Sequence, residues 1–260
     1  MSGPIIDTHV YLSRWPLRRL PLDDTKKLVD KLQSQGVVEA WCGSFDGLLH
    51  KDVAGVNSRL AEECAASTAV RLVPFGTINP SLPDWEEDLR RCADEHRMPG
   101  IRLHPNYHGY ELPDPKFAGV LKAAAERKLI VQLAVVMEDE RMMHPRLRVP
   151  PVGTKPLAGL VRETPGLKLV LLNAVKTLKG ESLTTLTQAG DVSVEIAMQE
   201  GVNGVETLLK SVPLDRVLFG SMSPLFYFEA AGLKLQESPL AMPQVRAICE
   251  ENARRLLPKA

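Results

Sequence analysis

Apolar runs alternate with amphipathic stretches along the whole chain. The runs lie at 5–9, 37–42, 71–75, 100–104, 130–136, 168–172, 192–196 and 216–220. Most read as nearly continuous apolar runs, the pattern of a strand buried on both faces of a parallel sheet. Between the first two runs, 23–35 carries Leu28, Val29 and Leu32 at helical spacing, starts on acids and stops at Gly36. Stretches 53–66, 84–96, 115–127, 156–163, 178–188, 202–211 and 242–257 read as further helices. Asp84 stands where it would cap the third helix, and Pro115 sits in the first turn of the fourth.

Eight strand–helix units in 260 residues predict an α/β protein, a single-domain (β/α)8 TIM barrel spanning residues 1–260, since such barrels take about 250 residues. The alternative is a doubly wound open sheet. No Gly-x-Gly-x-x-Gly follows the first strand, which counts against its dinucleotide-binding form. The least regular segment, 138–155, is rich in Pro, Arg and Met. A loop of that length after a barrel strand reads equally as a functional lid and as a surface excursion.

Charge narrows the partners. Lys plus Arg and Asp plus Glu number 32 each, so no global field favours nucleic acid or an anionic membrane. No apolar run approaches the roughly 20 residues of a membrane span. The opening residues run straight into a strand without a basic, then apolar, leader. Cys42, Cys64, Cys92 and Cys249 show no CxxC spacing and read as reduced thiols. A cytoplasmic protein is expected, with a small molecule as its partner and a homodimer as the default assembly.

In a barrel, the working face is formed by the carboxyl ends of the strands. Those ends carry Asp7, His9, Tyr11, Ser44, Asp46, Thr77, Asn79, Arg102, His104, Gln132, Asn173, Glu195, Ser221 and Ser223. His9 and His104 are the candidate acid–base pair, because imidazole titrates near neutral pH. Against that, His9 is read as a relic paired with Asp7, and His104 as held by a backbone bond. Arg102 offers a planar fork for a carboxylate or phosphate; equally, it pairs with an internal acid such as Glu195 or Asp7. Tyr11, Gln132, Asn173, Glu195 and Ser221 complete the candidate ligand-binding set. His108 and Tyr110, in the loop after the fourth strand, stand at the entrance or on plain surface. The acidic run around His144 reads as solvated and self-paired.

Four motifs carry a resemblance. Ile5-Ile6-Asp7-Thr8-His9-Val10-Tyr11 resembles the first strand of the amidohydrolase-related (amidohydrolase 2) family of metal-dependent hydrolases, which reads Asp-x-His-x-His. Gly100-Ile101-Arg102-Leu103-His104-Pro105 resembles its fourth-strand motif. The segment from Val217 to Pro224 resembles its eighth strand, and that from Glu251 to Leu257 its closing helix. The resemblance implies a barrel and hydrolysis or decarboxylation at a zinc or manganese centre. It also implies ligands at positions that here read His9, Tyr11, Gln132, Asn173 and Met222. Neutral carboxamides and a thioether are weak partners for such an ion, and the base expected on strand eight is Met222. The expectation is therefore a hydrolase or decarboxylase without metal or other cofactor, acting on a small polar or carboxylated substrate. The alternative is a non-catalytic binding or scaffold protein on the same fold.

Overall fold

A computed structural model describes residues 3–257. Eight parallel strands form one sheet in the order of the chain. They are β1 (Ile5–Leu12), β2 (Val37–Ser44), β3 (Arg71–Thr77), β4 (Gly100–Leu103), β5 (Ile130–Ala134), β6 (Lys168–Leu172), β7 (Asp191–Glu195) and β8 (Val217–Leu218). Backbone bonds from Thr8 N to Phe219 O (3.0 Å), Tyr11 N to Ser223 O (2.9 Å) and Met222 N to His9 O (2.7 Å) join the last strand to the first. The sheet is thus closed, and the predicted (β/α)8 barrel is what the chain forms.

The helices follow their caps. In α1 (Thr25–Ser34), the Asp24 carboxylate accepts from Lys27 N, and Leu28, Val29 and Leu32 are buried. In α2 (Val53–Ala65), Asp52 accepts from Gly55 N. The third helix, α3 (Trp85–Arg90), runs on through a π-helical segment to Glu95; Asp84 precedes it without making the expected capping bond. The stretch read as an entrance loop holds one helical turn, α4 (Pro105–His108), ended by Gly109 in the left-handed region. Asp114 caps α5 (Pro115–Glu126), which has proline in its first turn. Next come α6 (Leu157–Glu163), α7 (Gly180–Thr187) and α8 (Gly204–Leu209). A helix the apolar pattern missed, α9 (Phe228–Glu237), packs Phe228, Ala231 and Leu235 inward. The expected closing helix is α10 (Met242–Arg246) and α11 (Asn252–Leu256), joined by a π-helical segment. Residues 138–155 contain no helix or strand. Among the described residues, no helix is long and apolar enough to cross a membrane.

Two layers fill the barrel below its mouth. The lower is apolar: Ile6, Trp41, Val73, Phe75, Ile130, Val170 and Leu218 pack together, and Leu256 of α11 closes the bottom. Trp41 stacks on Phe75 at 5.1 Å. Above lies a polar layer around Arg102, which is fully buried. Its Nε donates to Gln132 Oε1 at 2.8 Å, Nη1 to Val10 O at 2.8 Å and Nη2 to Trp41 O at 3.0 Å. Gly43 makes room for it: a Cβ there would stand 2.6 Å from Arg102 Nη1. Gly100 is equally constrained, since a Cβ would collide with Ile130 O and the Phe75 ring.

Backbone and a buried aromatic cannot both retreat from a new methyl group. Gly100→Ala is therefore expected to lower unfolding stability by about 3 kcal/mol, read as a fall in the urea midpoint with an unchanged slope. A midpoint within error of wild type would contradict this packing.

Candidate functional site

β1 projects three polar side chains toward the carboxyl end, all fully buried. Asp7 is the lowest. Its Oδ1 accepts from His9 N (3.1 Å) and Ser221 N (3.0 Å), and its Oδ2 from Ser221 Oγ (2.5 Å). Burial pushes its carboxyl up to about 7, against the opposing pull of the Ser221 bonds. Asp7 thus holds the β1 and β8 backbones together and leaves the His9 ring free.

The His9 ring faces Glu195 instead. Nδ1 lies 3.4 Å from Glu195 Oε1 without the alignment of a hydrogen bond, and Nε2 is buried with no partner. Glu195, at the end of β7, spends its carboxylate on backbone: Oε1 accepts from Asn173 N at 2.5 Å and Oε2 from Ala197 N. Asn173 adopts φ 57, a left-handed conformation that asparagine tolerates better than most residues. Its Nδ2 donates to Val136 O at 2.7 Å and lies 2.8 Å from Met222 Sδ, while Oδ1 is buried without a partner.

Tyr11 joins β1 to β4. Its hydroxyl stands 2.9 Å from His104 Nε2 and 3.3 Å from Met137 Sδ. Its ring stacks on Phe45 at 4.5 Å, and Arg102 Cζ lies 4.4 Å from the ring centroid. Burial raises the Tyr11 hydroxyl to about 12. His104 follows β4, and its Nδ1 has no partner. Burial holds the imidazoles of His9, His104 and His108 below the ordinary histidine range, His104 farthest, with nearby His108 and Arg102 adding to the effect.

The candidate residues thus separate by depth. Tyr11, His9, His104, Asn173 and Glu195 gather in one cluster at the mouth. Gln132 lies deeper, giving Oε1 to Arg102 and Nε2 to Thr8 O at 2.8 Å. Arg102 meets neither a surface anion nor an internal acid, because carbonyl oxygens and Gln132 take its donors. Ser221 belongs to the β1–β8 seam. Sequence reasoning passed over the cover. Trp15, Leu20, Phe45, Leu48, Met137 and Leu225 pack with Tyr11 and Met222 into an apolar cluster across the mouth. Position just beyond strands one, two and five was the available signal for Trp15, Phe45 and Met137.

Beside this cover, 138–155 borders a groove of about 660 Å³ lined by Val136, Asp139, Arg141, Arg148, Lys176 and Glu200. Its charges are largely paired with one another, as in Lys176–Glu200 (2.7 Å) and Asp139–Arg141 (2.8 Å). Arg18, on the segment after β1, bonds to buried Glu138, so two loops meet over the barrel.

Residues 6–259 match the family model described as Amidohydrolase. Among curated proteins none matches. Solved structures share the fold. The 2,6-dihydroxybenzoate decarboxylase of Rhizobium has a TM-score of 0.72 at 17% identity, over 98% of each chain. The 5-carboxyvanillate decarboxylase of Sphingomonas paucimobilis has a TM-score of 0.76 at 16% identity, over 98% of this chain and 99% of its own. A dihydroxybenzoic acid decarboxylase of Polaromonas sp. JS666, with bound manganese, has a TM-score of 0.72 at 12% identity, over 98% and 96%.

Manganese takes hard, charged oxygen ligands, and zinc takes imidazole, thiolate or carboxylate. Around His9 stand a thioether, one carboxamide, a phenol bonded to His104, and a carboxylate already serving two backbone N–H groups. Among the described residues, no three His, Cys, Asp or Glu side chains converge as a metal set. The donor chemistry here does not fit either ion.

The buried imidazoles make stability pH-dependent. A histidine whose folded pKa is depressed stabilises fully above its unfolded value, about 6.5, and that stability is lost as pH falls. Asp7 has the opposite sign, with stability present below about 4 and lost as pH rises through about 7. With three histidines set against one carboxyl, unfolding stability is expected to fall between pH about 7.5 and 5.5. Urea titrations at the two pH values test this, with His104→Gln expected to flatten the difference. A stability that is unchanged or rises on acidification would contradict it.

Proposed function

The chain belongs to the amidohydrolase family, and from that premise we propose that it is a hydrolase or decarboxylase of small polar or carboxylated molecules, working without a divalent metal. The observation that carries this reading is the set of buried polar atoms lacking partners at the barrel mouth: both nitrogens of His9 and Oδ1 of Asn173. Each such atom costs about 1–3 kcal/mol, and a cluster of them at the functional end of a barrel is best understood as awaiting a polar ligand.

The roles follow from protonation. His9 and His104 are neutral at pH 7, so either takes a proton from water or from a phenol. Tyr11 and Asn173 orient the ligand. Arg102 acts from below, lending positive potential to the mouth without touching the ligand. Gln132, Glu195 and Ser221 hold the walls. The cover of Trp15, Phe45 and Met222 must part before a substrate enters. Hydroxybenzoates are the first class to test, since two of the similar folds are decarboxylases of 2,6-dihydroxybenzoate and 5-carboxyvanillate.

A second reading, a non-catalytic binding or scaffold protein, rests on that same cover, because Tyr11, Trp15, Phe45, Met137 and Met222 are all buried across the mouth. A panel of hydroxybenzoates, small amides and lactones, run with and without a chelator, separates the two. The enzyme reading predicts turnover unaffected by the chelator and reduced at least about 100-fold in His9→Ala and in His104→Ala, with both variants folded. Turnover abolished by the chelator, or unchanged in both variants, would overturn it. No turnover across the panel would favour the scaffold.

A further inference from the structure

The turn after β4 places a second histidine behind the first. His104 O accepts from His108 N at 3.0 Å, closing one helical turn. His104 stands at the N-cap of that turn and His108 ends it, and the two imidazole centroids are 5.7 Å apart with nearly perpendicular planes.

Hydrogen-bond partners fix one tautomer. His108 Nε2 lies 2.8 Å from Gly47 O. A carbonyl oxygen only accepts, so Nε2 carries the proton and Nδ1 of the neutral ring is an acceptor. That Nδ1 is buried without a partner, and so is Nδ1 of His104. Two further unpartnered hydroxyls lie on residues packed around His108 and Gly47. Tyr110 Oη is buried and unpartnered, with its ring 6.3 Å from His108. Thr77 Oγ1 is also unpartnered, and a Cβ on Gly47 would run into it, so Thr77 abuts the residue that takes the His108 bond. Two buried, unpartnered imidazole nitrogens on rings 5.7 Å apart are a setting in which an ordered water is held between them.

We propose that His108 is a positioning residue: through one ordered water it fixes His104 with the proton on Nδ1 and the lone pair on Nε2. The water donates to His108 Nδ1, which only accepts, and its oxygen accepts from His104 Nδ1–H. Its second proton goes to Tyr110 Oη or Thr77 Oγ1. His104 Nε2 then accepts from the Tyr11 hydroxyl, a stronger acceptor than the Met137 thioether 3.3 Å away. The outcome is a Tyr11 O–H polarised at the barrel mouth by a histidine whose orientation is set from behind, the same logic by which a third group orients a catalytic base. This role serves the mouth as a working site, but its test needs no turnover, so failed activity and a wrong tautomer are distinguishable.

Side-chain nitrogen NMR of protein labelled with 15N-histidine, at slightly alkaline pH, reads the tautomers directly. His104 is expected to show a protonated Nδ1 and an unprotonated Nε2, His108 the reverse, with a water cross-peak at the His104 Nδ1 proton. His108→Gln keeps a donor for Gly47 O and loses the acceptor at Nδ1; it is expected to change the His104 tautomer ratio about tenfold. His108→Asn places a side-chain oxygen near the Nδ1 position and is expected to restore the wild-type ratio. The role is overturned if wild-type His104 carries its proton on Nε2, if neither variant moves the ratio, or if Asn moves it as far as Gln.

Discussion

The buried guanidinium of Arg102 is the constraint on which the upper half of this barrel depends. Its three bonds reach the backbone of β1 at Val10, the backbone of β2 at Trp41 and the side chain of Gln132 on β5. Gln132 passes the connection back to β1 through Thr8 O. A charge this deep is costly unless its donors are satisfied, and satisfying them fixes the strands bearing Tyr11 and His104 relative to one another. Gly43 is the concession that lets the guanidinium fit. Losing any one of these acceptors would leave a buried donor stranded and loosen the floor of the mouth.

On that floor the mouth combines two tendencies. Tyr11 and Met222 occupy positions where the resemblance to the family implies a metal-binding histidine and an acid, and both pack with Trp15 and Phe45. Between them lie imidazole nitrogens and a carboxamide oxygen without partners. An apolar cover over orphaned polar atoms is a poor arrangement for stability alone. It makes sense where the cover moves, or where a small polar molecule sits beneath it. The Arg18–Glu138 pair joins the two loops that meet over the barrel.

Much of the barrel was legible in the chain. Apolar runs mark the buried parallel strands, but the one cap read from the chain, Asp84, makes no capping bond, whereas Asp24, Asp52 and Asp114 do. The helix at Phe228–Glu237 was hidden because an apolar run, Leu225 to Phe228, leads into it and Gly232 interrupts its pattern. The candidate site was legible as a list but not as an arrangement. Arg102 on β4 and His104 just after it lie two residues apart, yet one is locked in the floor and the other meets Tyr11, 93 positions away in sequence. Whether a strand residue lies in the floor or the mouth depends on the stagger of the closed sheet, which no local pattern records.

Metal content tests most directly whether Tyr11, Asn173 and Met222 leave this mouth unable to hold a divalent ion. The protein would be dialysed against manganese and zinc, desalted and analysed by elemental mass spectrometry beside Tyr11→His/Met222→Asp. The wild type is predicted to retain far less than one ion per chain and the double variant to bind substantially more. One equivalent of manganese or zinc on the wild type, lost in His9→Ala, would contradict the account.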